Sequence, residues 1–284
     1  MDTVALVDKY PNSDERVLAE QIVRSGGGPA SVAAVTLARL GINSAIVGTI
    51  GDDEDGRLVL EIFKKEGVDT SGISIHKGAT SGSVIVASKS ESTRAISTRQ
   101  PVIQTSPNEQ AKKIAASSNW VHVDHVGINL LNDLGISRGG SVKISFDAGY
   151  GAKDFDVSKV DLFAPNDRQM HDRHLNLDLK DAIKKDAESG SNLVVATRGA
   201  KGSIGYSKDS GFADAPGIKS EIVSTLGAGD VFHGALLAQL IEGLPLEEAL
   251  RRANIVAALS CSGLDGQSAI PTRAELMEYI KGAN

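Results

Sequence analysis

Short β-branched segments alternate with helical segments along most of the chain, and this alternation restricts the folds it can adopt. The sequence predicts strands at residues 44–51, 82–89, 120–127, 142–149, 160–166 and 192–199. Helices are predicted at residues 29–41, 54–67, 108–119 and 180–191. Strand–helix–strand alternation is typical of α/β proteins with a mostly parallel sheet covered by helices. Ligands of such sheets bind at the carboxyl ends of the strands.

Two regions interrupt the alternation. Residues 3–25 and 72–100 contain strand-like segments with no helical segment between them. We expect them to form a small, antiparallel, partly exposed sheet inserted into a single domain that spans residues 1–284. Because an exposed sheet edge needs a cover or a partner, we predict that this sheet is a lid and a homodimer contact.

Composition excludes several classes of protein. The chain has 30 Lys and Arg against 36 Asp and Glu, a net charge of −6, whereas a nucleic-acid partner calls for a basic face. No apolar segment reaches the roughly 18 residues of a membrane span, and the first 11 residues do not read as a secretory signal. The single cysteine, Cys261, lies among small apolar residues, so we expect it to pack in the core. We therefore predict a cytoplasmic protein without a membrane partner.

The segment STLGAGDVFHGALLAQL, residues 224–240, places two glycines and an acid before an apolar helix. Neither the G-x-x-x-x-G-K-[ST] nor the G-x-G-x-x-G motif is present in the chain. Gly227 and Gly229 allow a ligand to approach the backbone, and the helix start attracts an anion. Asp230 could accept a proton from an attacking hydroxyl group. The alternative is that Asp230 simply caps the helix.

A second glycine-rich turn enters a helix of small residues at SGGGPASVAAVTLARLG, residues 25–41. Two such elements in one chain indicate a site built from both. His125, at the end of a predicted strand, is a candidate sugar contact. Arg94 and Arg99 are candidates to bind an anionic substrate group, because guanidinium pairs well with phosphate or sulfonate. No metal site is predicted among the protein side chains.

The two glycine motifs, in this order, resemble the signatures of the ribokinase-like, PfkB-type carbohydrate kinases. The segments GGGPASVAAVTLARLG, GDDEDG, GAGDVFHGAL and VAALSCSGLDGQSAIP look most like sulfofructose kinases, and MDTVALVDKYP resembles the start of ketohexokinases. The resemblance implies a three-layer α/β/α Rossmann-type core with a small β-sheet lid. It also implies ATP with Mg²⁺ as phosphoryl donor and a sugar hydroxyl as acceptor.

Residue roles follow from the same resemblance. Asp230 would be the catalytic base, beside an anion site at Gly227, Ala228 and Gly229. The sugar would be bound by Asp2, Gly27, Gly28, Arg16, Arg94 and His125. ATP would be bound by Asn166, Thr197, Gly199, Gly202, Thr225, Asn254 and Gly263.

The chain departs from the family pattern at several positions. Ser224 replaces the first Asp of D-T-x-G-A-G-D, Gln169 replaces the acid of N-x-x-E, and the strand expected before Asp2 is absent. We expect that the natural start lies further upstream. The predicted activity is ATP-dependent phosphorylation of a ketohexose or an anionic derivative such as sulfofructose or fructose phosphate. A nucleoside kinase, or a catalytically weak sugar- or nucleotide-binding protein on the same scaffold, is the alternative.

Overall fold

The chain divides into two units; the first contains two β-sheets and the second contains one. The structure is a computed structural model that describes residues 1–91, 93–99 and 106–282. The first unit comprises Met1–Thr105, Ser220–Val231 and Ala257–Asn284. The second unit comprises Ser106–Lys219 and Phe232–Val256. The single domain predicted over residues 1–284 stays a prediction.

Strands and helices of the first unit alternate after an initial hairpin. In chain order they are β1 (Asp2–Val7), β2 (Ala19–Ser25), α1 (Pro29–Arg39), β3 (Ala45–Gly51), α2 (Glu54–Lys65), β4 (Asp69–His76), β5 (Gly82–Ser88) and β6 (Thr93–Arg99). Helix α2 illustrates the local signals. Asp53 caps it by accepting the Gly56 amide at 2.9 Å, and acids at its start and lysines at its end match the helix dipole.

A four-stranded sheet in the order β2-β1-β5-β6, which we call the lid sheet, occupies the predicted lid region. Its inner face packs Val4 and Leu6 of β1 with Ile85 and Ala87 of β5 and with Leu264. Strand β1 pairs with β5 in parallel, so the expectation of an antiparallel sheet is wrong; the sheet is mixed. The reason is the long connection between β2 and β5, which returns the chain to the same end of β1.

Strands β3 and β4 form a separate two-stranded parallel sheet connected through α2. The segment from Gly72 to Gly78 was expected in the lid, and the structure instead pairs most of it with β3. A strand that follows a helix can cross over and pair in parallel with the strand before that helix, as here.

The second unit contains a six-stranded sheet in the order β12-β11-β10-β9-β8-β7. Its elements are α3 (Glu109–Ser117), β7 (Trp120–Val123), β8 (Lys143–Phe146), β9 (Leu162–Phe163), α4 (Asp167–Arg173), α5 (Leu179–Ser189), β10 (Leu193–Thr197), β11 (Ser203–Ser207) and β12 (Gly211–Ala215). Strands β7 to β10 are parallel, which confirms the predicted parallel sheet, and β11 and β12 add an antiparallel edge.

Three helices complete the described chain, namely α6 (Ala228–Ile241), α7 (Leu246–Ser260) and α8 (Arg273–Gly282). Helix α6 buries Val231, Phe232 and Leu236 almost completely, and apolar residues surround its axis, as expected of a helix enclosed by protein. No helix among the described residues combines the length and apolarity needed to cross a membrane.

Candidate active site

The segment from Ser224 to Asp230, which we call the GAGD turn, is held by backbone contacts. Gly227 has a φ of +75°, and a Cβ placed on it would lie 2.8 Å from Cα of Gly266. A side chain at Gly227 is therefore strained and obstructed. Ser224 Oγ accepts the Leu226 amide at 3.1 Å, and the Ser224 amide donates to the Cys261 carbonyl at 3.1 Å. Ser224 thus anchors the turn without a carboxylate.

Gly229 and Asp230, the last two residues of the GAGD turn, lie in the first turn of α6. Apart from its chain neighbours and the nearby backbone of α6, no described atom lies within 4 Å of a Cβ placed on Gly229, so the space beside its backbone is open. Asp230 follows directly and is half-buried. The amides and dipole of a helix start favour an anion at this point. An open backbone cradle and a carboxylate therefore adjoin at one helix terminus.

The second glycine turn, Ser25–Gly28, lies against Asp2, so three residues predicted to bind the sugar, Asp2, Gly27 and Gly28, are close together. A Cβ placed on Gly27 would overlap the Asp2 carboxylate, so a side chain there would displace that carboxylate. Burial raises the pKa of Asp2, while the amino-terminal charge and a Ser83 hydrogen bond oppose that rise. Gly28 has a φ of +94° and accepts the Val32 amide at 3.0 Å, which starts α1.

The candidate arginines have three different environments. Arg94 of β6 donates from Nη1 to Thr225 Oγ1 at 3.1 Å, which brings a predicted sugar residue against a predicted ATP residue. Arg16 is exposed in the segment between β1 and β2. Arg99 instead contacts the Thr80 carbonyl and lies 3.7 Å from the Asp55 carboxylate, so its guanidinium is engaged by the protein.

The predicted ATP residues of the second unit form two connected turns. Asn166 caps α4 through a reciprocal pair with Gln169: Asn166 Oδ1 accepts the Gln169 amide at 2.9 Å, and Gln169 Oε1 accepts the Asn166 amide at 2.7 Å. Gln169 performs this capping where the family pattern has an acid. Asn166 also forms a parallel bridge with Thr197, which brings these two residues together as the sequence predicts.

Gly199 and Gly202 form the turn that follows β10, with φ values of +56° and +88°. A Cβ on Gly202 would overlap the backbone after β12, and Asn254 Nδ2 donates to the Ala215 and Pro216 carbonyls, each at 3.1 Å. The Asn254 amide thus stabilises the segment against which this turn packs. Asn254 and Gly263 belong to different units, and the ATP contact predicted for them stays a prediction.

A buried polar cluster in the second unit was missed at the sequence level. The Asp147 carboxylate lies 2.9 Å from His233 Nδ1, and the two residues are only 8% and 6% exposed. Burial alone would raise the pKa of Asp147. The positive charge of His233 and its hydrogen bond to the carboxylate outweigh burial and hold the pKa of Asp147 well below its usual range.

His122 completes this cluster. Its Nδ1 lies 2.7 Å from Ser145 Oγ, its ring lies 5.9 Å from the His233 ring, and its buried Nε2 has no partner among the described residues. Burial, followed by the charge of His233, lowers the pKa of His122 to about 4. His122 and its partners lie on different segments of the chain, and no local spacing signals their contacts.

His125 and Cys261 have contrasting environments. His125 is exposed just beyond β7, at the carboxyl end of that strand, as predicted. Cys261 is buried and its Sγ donates to the Ala257 carbonyl at 3.2 Å, which confirms the predicted packing role. Burial raises the pKa of the Cys261 thiol. Within the part of the chain that the structure describes, no three His, Cys, Asp or Glu side chains converge as metal ligands.

Comparison with known proteins identifies relatives over almost the whole chain. The family model described as pfkB family carbohydrate kinase matches residues 1–137 and 147–273. The ribokinase of Lactococcus lactis is 26% identical over 294 residues, covering 99% of this chain and 94% of the relative. The fructokinase of Solanum tuberosum is 27% identical over 304 residues, covering 98% of this chain and 93% of the relative.

A solved structure shows the same fold. The ribokinase of Arabidopsis thaliana, crystallised with ribose and ATP, superimposes with a TM-score of 0.79 at 20% identity. The match covers 99% of this chain and 95% of the other. The predicted ribokinase-like α/β fold is therefore confirmed.

The His122 environment predicts how stability depends on pH. Unfolded His122 gains a proton near pH 6.5, whereas folded His122 stays neutral down to about pH 4. Because the unfolded state binds more protons between these values, the free energy of unfolding should fall as pH falls through this window. Asp147 stabilises the fold above its ordinary pKa of 3.8, so its contribution is lost only at lower pH. Urea titrations at several pH values measure this dependence.

Two variants isolate the His122 contribution. The His122→Asn variant should show a smaller loss of stability between about pH 6.5 and pH 4. The His171→Asn variant, altered at an exposed histidine on α4, should keep the wild-type dependence. Equal slopes for both variants and the wild type would contradict the assignment.

Proposed function

We propose that this chain, which belongs to the pfkB family of carbohydrate kinases, transfers the γ-phosphoryl group of ATP to a hydroxyl of a small sugar. The observation that carries the proposal is the open backbone at Gly229 beside Asp230, at the start of α6. Nothing in the fold around Gly229 requires glycine there, so a ligand that approaches the backbone accounts for it. The Arabidopsis ribokinase, crystallised with ribose and ATP, supports the choice of donor.

The GAGD turn supplies the electrostatic part of the reaction. Phosphoryl transfer spreads negative charge over the equatorial oxygens of the transferred group, and positioned donors stabilise that charge. The amides of Gly227, Ala228 and Gly229 would face these oxygens at the positive end of the α6 dipole. Fixed backbone donors need no reorganisation during the reaction, which is why a rigid glycine turn suits this role.

Asp230 supplies the acid–base part. Its carboxylate would accept the proton of the sugar hydroxyl as that oxygen bonds to the γ-phosphorus. The bond from the γ-phosphorus to the bridging β–γ oxygen breaks at the same time, and ADP leaves with the electron pair. The proton stays on Asp230 until it is released to solvent or product. The products are a sugar phosphate, ADP and one proton.

The sugar side would be held by Asp2, Gly27 and Gly28. The Asp2 carboxylate against Gly27 can accept hydrogen bonds from sugar hydroxyl groups. The cation of Arg94 lies at Thr225 of the GAGD turn and suits an anionic acceptor; Arg16 and His125 are further proposed contacts. We therefore propose a ketohexose or its anionic derivative, a choice supported by the fructokinase relative.

The nucleotide would be held by Asn166, Thr197, Gly199, Gly202, Thr225, Asn254 and Gly263. Gly199 leaves open space at its Cβ position, as a phosphate-binding turn requires. The proposed Mg²⁺ would arrive bound to the ATP phosphates, where it neutralises their charge during transfer. We further propose a cytoplasmic homodimer in which the lid sheet forms the contact between subunits.

Replacing Asp230 tests the assigned base. The Asp230→Asn variant keeps the side-chain shape but cannot take the proton, so turnover should fall by at least about 10²–10⁴-fold. ADP release would be measured with MgATP across ketohexoses, sugar phosphates, sulfofructose and nucleosides. Asp209→Asn, at an exposed acid between β11 and β12, serves as the matched control and should retain wild-type turnover.

Several outcomes would overturn the proposal. Wild-type turnover in Asp230→Asn would remove the base assignment. Turnover with nucleosides alone would replace the sugar by a nucleoside as acceptor. Sugar binding without any turnover would make this chain a binding protein on a kinase scaffold.

Gly229→Ala tests whether a ligand occupies the open space. Outside the nearby backbone of α6 and the two neighbouring residues, the new methyl group meets no described atom within 4 Å. Alanine favours a helix by about 1 kcal/mol over glycine, so the fold should remain at least as stable. Turnover should nevertheless fall by about 10²-fold, because the methyl group displaces the phosphoryl group. Gly282→Ala, at an equally open helical glycine of α8, should leave turnover unchanged. Full activity of Gly229→Ala would contradict the cradle.

The outer face of the lid sheet generates the prediction about dimers. Ile22 is 66% exposed and Val84 is 58% exposed. Ala5 pairs with both Ile22 and Val86, and Val84 lies two residues before Val86, so Ile22 and Val84 share one face of the sheet. Ile22→Glu should convert a dimer to a monomer in light scattering. Ile75→Glu, at a 57% exposed isoleucine of β4, should remain dimeric. A monomeric wild type would contradict this contact.

A further inference from the structure

Asp265 is a buried acid to which the proposed reaction assigns no role. It is only 7% exposed. Its Oδ1 accepts the amides of both Gln267 and Ser268, each at 2.7 Å. Hydrogen bonds to a carboxylate are stronger than bonds between neutral groups. Asp265 therefore fixes the backbone of residues 265–268, which we call the Asp265 turn.

The Asp265 turn packs against the GAGD turn through a backbone contact between Gly266 and Gly227. Gly266 lies so close to Gly227 that a Cβ on Gly227 would be 2.8 Å from Gly266 Cα and 3.2 Å from its carbonyl oxygen. The two backbones meet without an intervening side chain. A displacement of Gly266 would consequently displace Gly227, three residues before Asp230.

The same turn also reaches the sugar side. Gln267 is 5% exposed, and its Oε1 lies 2.5 Å from the position that a Cβ on Gly26 would occupy. Its Nε2 donates to Ser31 Oγ at 3.4 Å, in the first part of α1. Gln267 thus packs against the turn that carries Gly27 and Gly28.

Apolar packing holds both turns on one surface. Leu264, directly before the Asp265 turn, is 5% exposed and belongs to the cluster on the inner face of the lid sheet. Leu226, directly before Gly227, packs against the same cluster. Leu226 and Leu264 therefore both pack on β1 and β5, which restricts how far the GAGD turn or the Asp265 turn can move.

We propose that Asp265 is a positioning residue for catalysis, which fixes the Asp265 turn so that the phosphoryl and sugar sides of the site keep one geometry. The proposal rests on the proposed sugar kinase function for its effect on rate. Asp265 acts through Gly266 on Gly227 and through Gln267 on Gly26. It does not contact the reacting atoms itself.

Asp265→Ala removes the acceptor of two amides and should loosen both turns. A misplacement of about 1 Å costs about 10²-fold in rate, so kcat should fall by about that factor and the sugar KM should rise. Asp265→Asn retains an oxygen acceptor and should restore most of the activity. Gln267→Ala loses the contact with the sugar side alone, and should raise the sugar KM while leaving kcat nearly unchanged.

The matched control is Asp69→Ala. Asp69 Oδ1 also accepts an amide two residues ahead, from Ser71 at 2.8 Å, but at the exposed start of β4. This variant should keep wild-type kcat and KM. It shows whether an effect on kcat or KM comes from the loss of any turn-capping carboxylate or from the loss of Asp265 in particular.

Hydrogen exchange decides the proposal without reference to turnover. The amides of Gly26–Gly28 and Gly227–Gly229 should exchange faster in Asp265→Ala than in wild type, Asp265→Asn or Asp69→Ala. Unchanged exchange at these glycines in Asp265→Ala would overturn the proposal, as would equal loss of kcat in Asp265→Ala and Asp265→Asn. If the wild type phosphorylates no sugar, the proposed function fails, and exchange still decides whether Asp265 positions the turns.

Discussion

The contact between the backbones of Gly227 and Gly266 is the constraint on which the first unit's site depends. It needs a positive φ and no side chain at Gly227, and it sets where α6 begins. Asp230 is thereby placed in the first helical turn, beside the open backbone of Gly229. Apolar packing of Leu226 and Leu264 on the lid sheet holds the contact together.

Backbone shape contributes more to the candidate site than charged side chains do. Gly27 leaves room for the Asp2 carboxylate, and Gly227 leaves room for the backbone of Gly266. Gly229 leaves open space beside its backbone. A chain with a net charge of −6 can still attract phosphate locally, because amides and the helix dipole concentrate positive potential at one point. This arrangement agrees with phosphoryl transfer, in which the protein mainly positions groups and neutralises charge.

Local patterns in the sequence predicted much of the fold and of the site. Glycine turns, helix caps and apolar periodicity placed α1 and α2 within two residues of their observed ends, and they located both turns of the site. Pairing between distant segments was beyond such patterns. The parallel pairing of β1 with β5, the Asp147–His233 pair and the contacts of the Asp265 turn with Gly227 and Gly26 join residues far apart in the chain, and no local spacing encodes them.

The most direct test of phosphoryl transfer at the GAGD turn is a crystal structure with ADP, aluminium fluoride and the acceptor sugar, since the fluoride mimics the transferring phosphoryl group. Fluoride should lie within hydrogen-bond distance of the amides of Gly227 to Gly229, with the Asp230 carboxylate on the sugar hydroxyl that faces it. Fluoride bound elsewhere, or Asp230 turned away from the hydroxyl, would contradict the assignment of the GAGD turn as the site of phosphoryl transfer.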